Sequence, residues 1–337
     1  MDIPKILEQL CKLGGVSGGE TEAHETVIKL LKGYMPNVKA DSFGNITGFS
    51  EGDEKKPLVL LEAHLDRIGM IVTKIDEDGF LKVSGMGMDR RTLLAQSVTV
   101  YCGGKTIKGI VSTLPPHLAT DSSKAPKIED IAIDVGMTKA QAEQVVTPGD
   151  LVLIDGMFSV LRGTRICSPA TDDRAGVCAV LYALELLKDE KELPVRLAVL
   201  FAAQEEVGCR GSKIAAFNIS PDYAVAVDVS FAQGKGVDYP QAGELGKGAM
   251  IGIAASLSRE VSKKLIKIAK EKEIPYQIEA MSGSTGTDAD SISVTKGGIS
   301  TGLISIPQRY MHTPCEVADT EDIKSAGRLM AEFVKSM

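Results

Sequence analysis

Four stretches of this chain are apolar at nearly every position rather than at every second one. They are LVLLEAH at 58–64, VRLAVLFAA at 195–203, YAVAVD at 223–228 and TGLISI at 301–306. A strand with one face in water alternates apolar and polar side chains, whereas a strand covered on both faces does not. Helical patterns separate the runs, over about 173–187, 257–272 (Leu257, Val261, Leu265 and Ile268 on one face) and 318–335. The expected fold class is α/β, a sheet sandwiched between helices.

Between about Arg67 and Arg165 the texture changes. Short alternating runs (FLKVSG, SVTVYCGG, TIKGIVST, IAIDVG, DLVLID) are punctuated by Gly, Asp and Pro, with one short helical pattern near 138–145. That reads as a small β-rich unit. Ahead of it, residues 3–10 and 20–34 read as two helices broken by a Gly-rich turn, followed by short strands around 36–49. A chain of 337 residues has room for about two domains. The expected division is an α/β domain made of residues 1–66 and 166–337, interrupted by an insert at 67–165.

Composition removes several classes of function. The net charge is −7, there is no basic block, and the aromatic content of 4% includes no Trp. A nucleic-acid partner would need a basic surface and often stacking platforms. No apolar run approaches the ~20 residues of a membrane-spanning helix, and the N-terminal pattern lacks the apolar centre of a secretory leader. The six cysteines are scattered, form no CxxC pair and fall mostly in apolar patterns. Reduced thiols in a cytoplasmic protein are the expectation.

The polar residues at the ends of the apolar runs carry the chemistry. His64 follows LVLLEA, Glu205 and Glu206 follow VRLAVLFAAQ, Asp228 ends AVAV, and His312 lies beyond TGLISI. Asp172 and Asp173 open a helix in SPATDDRAG. Open α/β sheets bind ligands at the carboxyl ends of their strands, so these groups converge on one edge. Histidines and carboxylates without thiolate suit Zn, Co or Mn. Two histidines and three carboxylates exceed the needs of one catalytic zinc but can hold two metals about 3.5–4 Å apart if one carboxylate bridges. Taken singly, each residue has a plainer reading. A strand-end histidine can be structural, an EE pair can be a solvated loop, and DDR can cap a helix. The conjunction argues for a metal site. GVSGG at 15–19 fits G-x-S-x-G but lies between helices, where no nucleophile elbow forms. HExxH, Walker A and GxGxxG patterns are absent.

With these motifs on the page, the chain resembles the tetrahedral (TET) dinuclear metalloaminopeptidases, some of which are labelled glutamyl or deblocking aminopeptidase, or endoglucanase. The likeness is nearly full-length. It rests on AHLDRIG at 63–69, LPPHL at 114–118, DDRAG at 172–176, QEEVGCRG at 204–211, AVDVS at 226–230, TGTDAD at 285–290 and PQRYMHTPCEV at 307–317. It implies a zinc-peptidase-like α/β/α domain with a β-barrel-like insert used in assembly. His64 and Asp228 would bind one divalent metal ion, Glu206 and His312 the other, with Asp172 bridging. Glu205 would be the general base, and Asp66 would orient His64. The Asp172–Asp173 peptide would be cis, and Gly286, Thr287 and Asp288 would lie near the substrate. The implied reaction is removal of N-terminal residues from short peptides by a hydroxide held between the metals. The implied assembly is a homo-oligomer built from dimers, up to a dodecamer. A glycoside hydrolase using carboxylates alone and a non-catalytic metal-binding protein are the alternatives. Absent Trp and the histidines weigh against the first, and an intact Glu205 against the second. One departure stands out: Arg67 occupies a position where relatives usually carry Glu. An altered structural ion pair is the expectation there, with changed substrate preference or assembly as the other reading.

Overall fold

A computed structural model describes residues 1–113, 117 and 126–337; of the motif at 114–118, only His117 lies within them. An eleven-stranded sheet runs through the molecule. Its centre is parallel, with strands Arg196–Ala202, Leu58–His64, Tyr223–Phe231 and Ser300–Arg309 side by side in that order. These are the four apolar runs.

Successive residues in these strands feed different cores. Val59, Leu61 and Ala63 join Leu197, Val199 and Phe201 in one cluster, together with residues of helices Ile3–Cys11, Thr171–Leu187 and Thr320–Lys335. Leu58, Leu60, Ala198 and Leu200 join Ala215, Ala216 and Ile292, from helices Arg210–Ile219 and Asp288–Ser293. Helices on both faces exclude water from every position, which is why the sequence does not alternate.

Antiparallel strands extend the sheet. Asn37–Ala40 and Ile46–Phe49 flank one side, and Glu316–Asp319, Arg165–Ser168 and Ser159–Val160 the other. Six further strands between Gly69 and Ile154 close into a barrel, in the order Gly69–Ile75, Leu81–Met86, Ala132–Asp134, Lys105–Val111, Ser97–Cys102, Leu151–Ile154. The barrel has its own apolar core, including Met70, Val72, Leu81, Val98, Val100 and Val152. Closure leaves it no free sheet edge.

Several elements differ from the sequence pattern. The helix expected near 138–145 is a single turn, Lys139–Ala142, closed by reciprocal bonds between Thr138 and Gln141. The last helix starts at Thr320 because Glu316–Asp319 is drawn into the sheet, and the Asp319 side chain caps the helix by accepting from the Glu321 N–H. Helix Arg210–Ile219 has no strong apolar signature because small residues (Gly211, Ser212, Ala215, Ala216) form its buried face. A Cβ on Gly211 would overlap the Ala203 carbonyl oxygen and Asn45 Oδ1. This close seating fixes the turn that carries Glu205 and Glu206. Among the described residues, no helix is long and apolar enough to cross a membrane.

Candidate metal centre

The strand register explains why the polar residues meet. Ala202 pairs with His64, Ala226 pairs with Glu62, and Asp228 pairs with Ser305. The strands therefore finish together, and their last side chains share one edge. His64 is buried at the end of its strand. Its Nε2 lies 3.0 Å from Asp172 Oδ1 and 3.7 Å from Asp228 Oδ1. His312 approaches from the opposite side, with Nε2 at 3.3 Å from Asp172 Oδ2 and 3.4 Å from Glu206 Oε2. Asp172 thus faces one histidine with each carboxylate oxygen.

The DDR dipeptide divides its work. Asp173 Oδ1 accepts the Gly176 N–H at 2.9 Å, which is the ordinary helix-opening role. Asp172 turns away into the site, and the peptide between the two is cis.

Asp66 lies beneath the site. Its Oδ1 accepts the Glu205 N–H at 2.9 Å, while Oδ2 accepts the Glu206 N–H at 3.2 Å and the Ser17 hydroxyl at 2.6 Å. His64 Nδ1 is 3.5 Å from Asp66 Oδ1 but 3.1 Å from the Asp66 main-chain oxygen. The carboxylate therefore reaches the glutamate turn as well as the imidazole.

Glu316, inside the motif at 307–317, has a role that the sequence does not reveal. Its Oε1 accepts the His312 N–H at 2.9 Å, and Oε2 accepts the Thr171 hydroxyl at 3.0 Å and the Asp172 N–H at 3.2 Å. It ties both sides of the site together. A glutamate after a loop histidine gives no sequence signal for that role. The barrel also contributes, since His312 Nδ1 lies 3.0 Å from the Gly87 carbonyl oxygen.

A cleft of about 540 Å³ opens beside the glutamates and is lined by Glu205, Glu206, Cys209, Gly286, Thr287 and Ser291, among others. Gly286 and Thr287 therefore border the site. Asp288 lies below them, 2% exposed and accepting the Ser212 hydroxyl at 2.5 Å.

The M42 glutamyl aminopeptidase family profile matches residues 44–329. The chain belongs to this family. Membership makes it a peptidase. It is 32% identical to the lysyl aminopeptidase of Pyrococcus furiosus over 343 residues, covering 99% of this chain and 97% of that one. The structure of an aminopeptidase from the archaeon Desulfurococcus kamchatkensis matches with a TM-score of 0.93 at 35% identity, covering 99% of this chain and 95% of that one. The TET1 peptidase of Pyrococcus horikoshii, which can assemble into a tetrahedron or a large octahedral shell, matches with a TM-score of 0.88 at 29% identity over the full length of both chains.

The residues of this M42 chain suit divalent cations. Donor atoms of His64, Asp172 and Glu206 lie within 4.8 Å of one another, as do those of His64, Asp173 and Asp228. Glu206 Oε1 and Asp173 Oδ2 are buried without a hydrogen-bond partner, and buried polar atoms are rarely left so. Without a metal, burial and the Asp172 charge push Glu206 up to about 8. Burial also raises Asp228 well above the carboxylate range. Burial pushes Asp172 in the same direction, but the two histidines outweigh it and hold this carboxyl low.

These directions carry a consequence for metal uptake. Ligating carboxylates must be ionised, so a cation taken up on Glu206 below pH 8 would have to displace its proton. Metal affinity is expected to rise with pH through about 8, where Glu206 ionises, and onward through about 9, where His312 loses its proton. Isothermal titration in two buffers of different ionisation heat reads the released protons. Identical heats in both buffers would contradict this linkage.

Proposed function

We propose that this M42 peptidase is a two-metal aminopeptidase that removes N-terminal residues from short peptides. The observation that carries the reading is the placement of Asp172, one oxygen towards His64 and the other towards His312. A carboxylate so placed is suited to bridging. His64 and Asp228 would complete the first cation's ligands, and Glu206 and His312 the second's. The donor set accepts Zn, Co or Mn alike. When bound, such a pair polarises a carbonyl oxygen and acidifies a water.

Glu205 is the proton carrier in this reading. Burial pushes its carboxyl up to about 7, near the pH at which a base can both accept and return a proton. It would take the proton of the attacking water and hand it to the leaving amine. Asp66 would hold Glu205 and Glu206 by their main-chain N–H groups, and Gly286 and Thr287 would border the bound residue. The acidic surroundings would attract a free α-ammonium group, which accounts for trimming from the N-terminus.

The same reading takes residues 1–66 and 166–337 as the catalytic unit and the insert at 67–165 as its assembly element. The chain would form homo-oligomers from dimers, up to a dodecamer. Exposed Met157, Val160 and Leu161, on the stretch leading out of the barrel, offer apolar surface for such contacts. Six free cysteines fit a reducing, cytoplasmic setting.

A panel of aminoacyl-p-nitroanilides with free or acetylated N-termini tests the reading, after chelation and after adding back Zn, Co or Mn. The expected result is activity restored by metal and confined to free N-termini. Cleavage that survives excess chelator, or that ignores acetylation, would overturn it.

A further inference from the structure

The turn that carries Glu205 and Glu206 leaves the sheet after Ala202 and enters no helix before Arg210. The main-chain N–H groups of residues 203–206 lie outside both ladders, and each donates to a buried side chain instead. Ala203 donates to Asn45 Oδ1 at 2.9 Å and Gln204 to Glu20 Oε1 at 3.1 Å. Glu205 and Glu206 donate to the two oxygens of Asp66. Asn45 and Asp66 are fully buried, and Glu20 is 2% exposed.

Buried amides need partners wherever they lie, so any one of these bonds could be simple satisfaction. Two features of the turn ask for more. Gln204 has φ +58, in the left-handed region that a residue with a side chain rarely adopts. The backbone just ahead of Glu205 therefore has to be held by its surroundings. The Glu205 side chain, by contrast, is bonded only within the turn. Among the described residues it accepts one hydrogen bond, from the Cys209 thiol, and the Cys209 N–H donates back to the Glu205 main-chain oxygen at 2.9 Å. Where the carboxylate points thus depends on where the turn sits.

Glu20 is itself fixed. Its Oε1 also accepts the Gly18 N–H at 2.8 Å, and the GVSGG turn in front of it is tied to the segment that follows His64. The Arg67 N–H donates to the Gly15 oxygen at 3.0 Å, the Ser17 N–H donates to the Arg67 oxygen at 3.3 Å, and the Ser17 hydroxyl reaches Asp66. Only the main chain of Arg67 takes part. Its Nε is buried without a partner, and among the described residues its guanidinium makes no ion pair, so the altered ion pair expected there does not form. Gly44 closes the arrangement from the other side. A Cβ there would lie 3.2 Å from the Ala203 Cβ and 3.3 Å from Glu20 Oε2.

We infer that Glu20 is a positioning residue for the reaction, holding Gln204 and through it the carboxylate of Glu205. The inference rests on the proposed role of Glu205 as proton carrier. A catalytic group displaced by about 1 Å can lose about 10²-fold in rate. The bond to Gln204 needs an acceptor oxygen rather than a negative charge, so an amide of the same shape can replace the carboxylate.

The test uses the full-length, metal-loaded protein and an aminoacyl-p-nitroanilide. Glu20→Ala and Glu20→Gln are each made in wild type and in Glu205→Gln, and kcat, KM, metal content and Tm are measured. Glu20→Ala is expected to lower kcat by about 10–10²-fold, the range of lost supporting contacts, with KM and metal content little changed. Glu20→Gln should recover most of that loss. In the Glu205→Gln background, Glu20→Ala should cost nothing further, because the group it positions no longer carries a proton. Glu20→Asp withdraws the acceptor oxygen while keeping the charge, and it replaces the alanine variant if that one does not fold. Wild-type kcat in Glu20→Ala would overturn the inference. So would loss of metal, or an equal loss of kcat in both backgrounds, since either would mean an effect that does not pass through Glu205. Full turnover in Glu205→Gln alone would instead sink the reading of Glu205, and the inference with it. A collapsed Glu205→Gln with an additive Glu20 effect would sink the inference only.

Discussion

Glu205→Gln is expected to retain the two proposed cations and to lose turnover, with kcat falling by about 10²–10⁴-fold, the usual worth of a positioned general base. The substitution keeps the shape of the side chain and removes its ability to take a proton. Glu205 holds its place through its main chain, whose N–H bonds to Asp66 Oδ1, so the turn should survive. Among the described residues, the Glu205 side chain accepts one hydrogen bond, from the Cys209 thiol to Oε1 at 3.3 Å, and an amide oxygen can accept it equally well. Metal content by elemental analysis and melting temperature should therefore match wild type while kcat collapses and KM changes little. Loss of metal in this variant would make Glu205 a ligand instead. Wild-type turnover would remove it from the chemistry altogether.

Part of the site is legible in the sequence itself. Strand ends are legible because an apolar run has a visible last residue, and the parallel register then brings His64, Asp228 and the glutamate pair to one edge. Continuous rather than alternating apolarity gave away the covered sheet for the same local reason. What could not be read depends on contacts across the fold. Glu316 binds Thr171, Asp172 and His312 together, but its sequence setting is that of any loop-to-strand acid. Asp66 sits two residues after His64 and suggests an imidazole partner, whereas most of its carboxylate bonds go to the main chain of a turn 139 and 140 residues away. Asp288 reads as part of a Gly-rich loop, yet it is buried against Ser212. Helix Arg210–Ile219 stayed hidden because small residues form its buried face, and smallness there is a matter of fit rather than of hydrophobicity.

Asp172→Ala should do what Glu205→Gln does not, which is to abolish activity by emptying the site. Asp172 is the group that both histidines share, so its removal takes an oxygen from each proposed cation at once. The Glu316 oxygens are already committed to hydrogen bonds, and the spare Asp173 Oδ2 belongs to the His64–Asp228 side, so no single donor can replace an oxygen on both sides. Metal content should fall from two per chain towards zero, and kcat/KM should drop by more than about 10³-fold, beyond the 10–100-fold typical of losing an outer-shell partner. Stability separates this from simple misfolding. In wild type, cations that bind only the folded chain would raise its melting temperature with the logarithm of their excess over the dissociation constant, and chelation would remove that gain. In the variant the metal-dependent rise should disappear, whereas the metal-free protein should melt near metal-free wild type. Two effects of the substitution oppose each other there: one buried carboxylate fewer relieves Glu206 and Asp228, while His64 and His312 lose the partner that holds them. A variant that kept two metals and full turnover would show that Asp172 does not bridge, and the two-metal reading would fail with it.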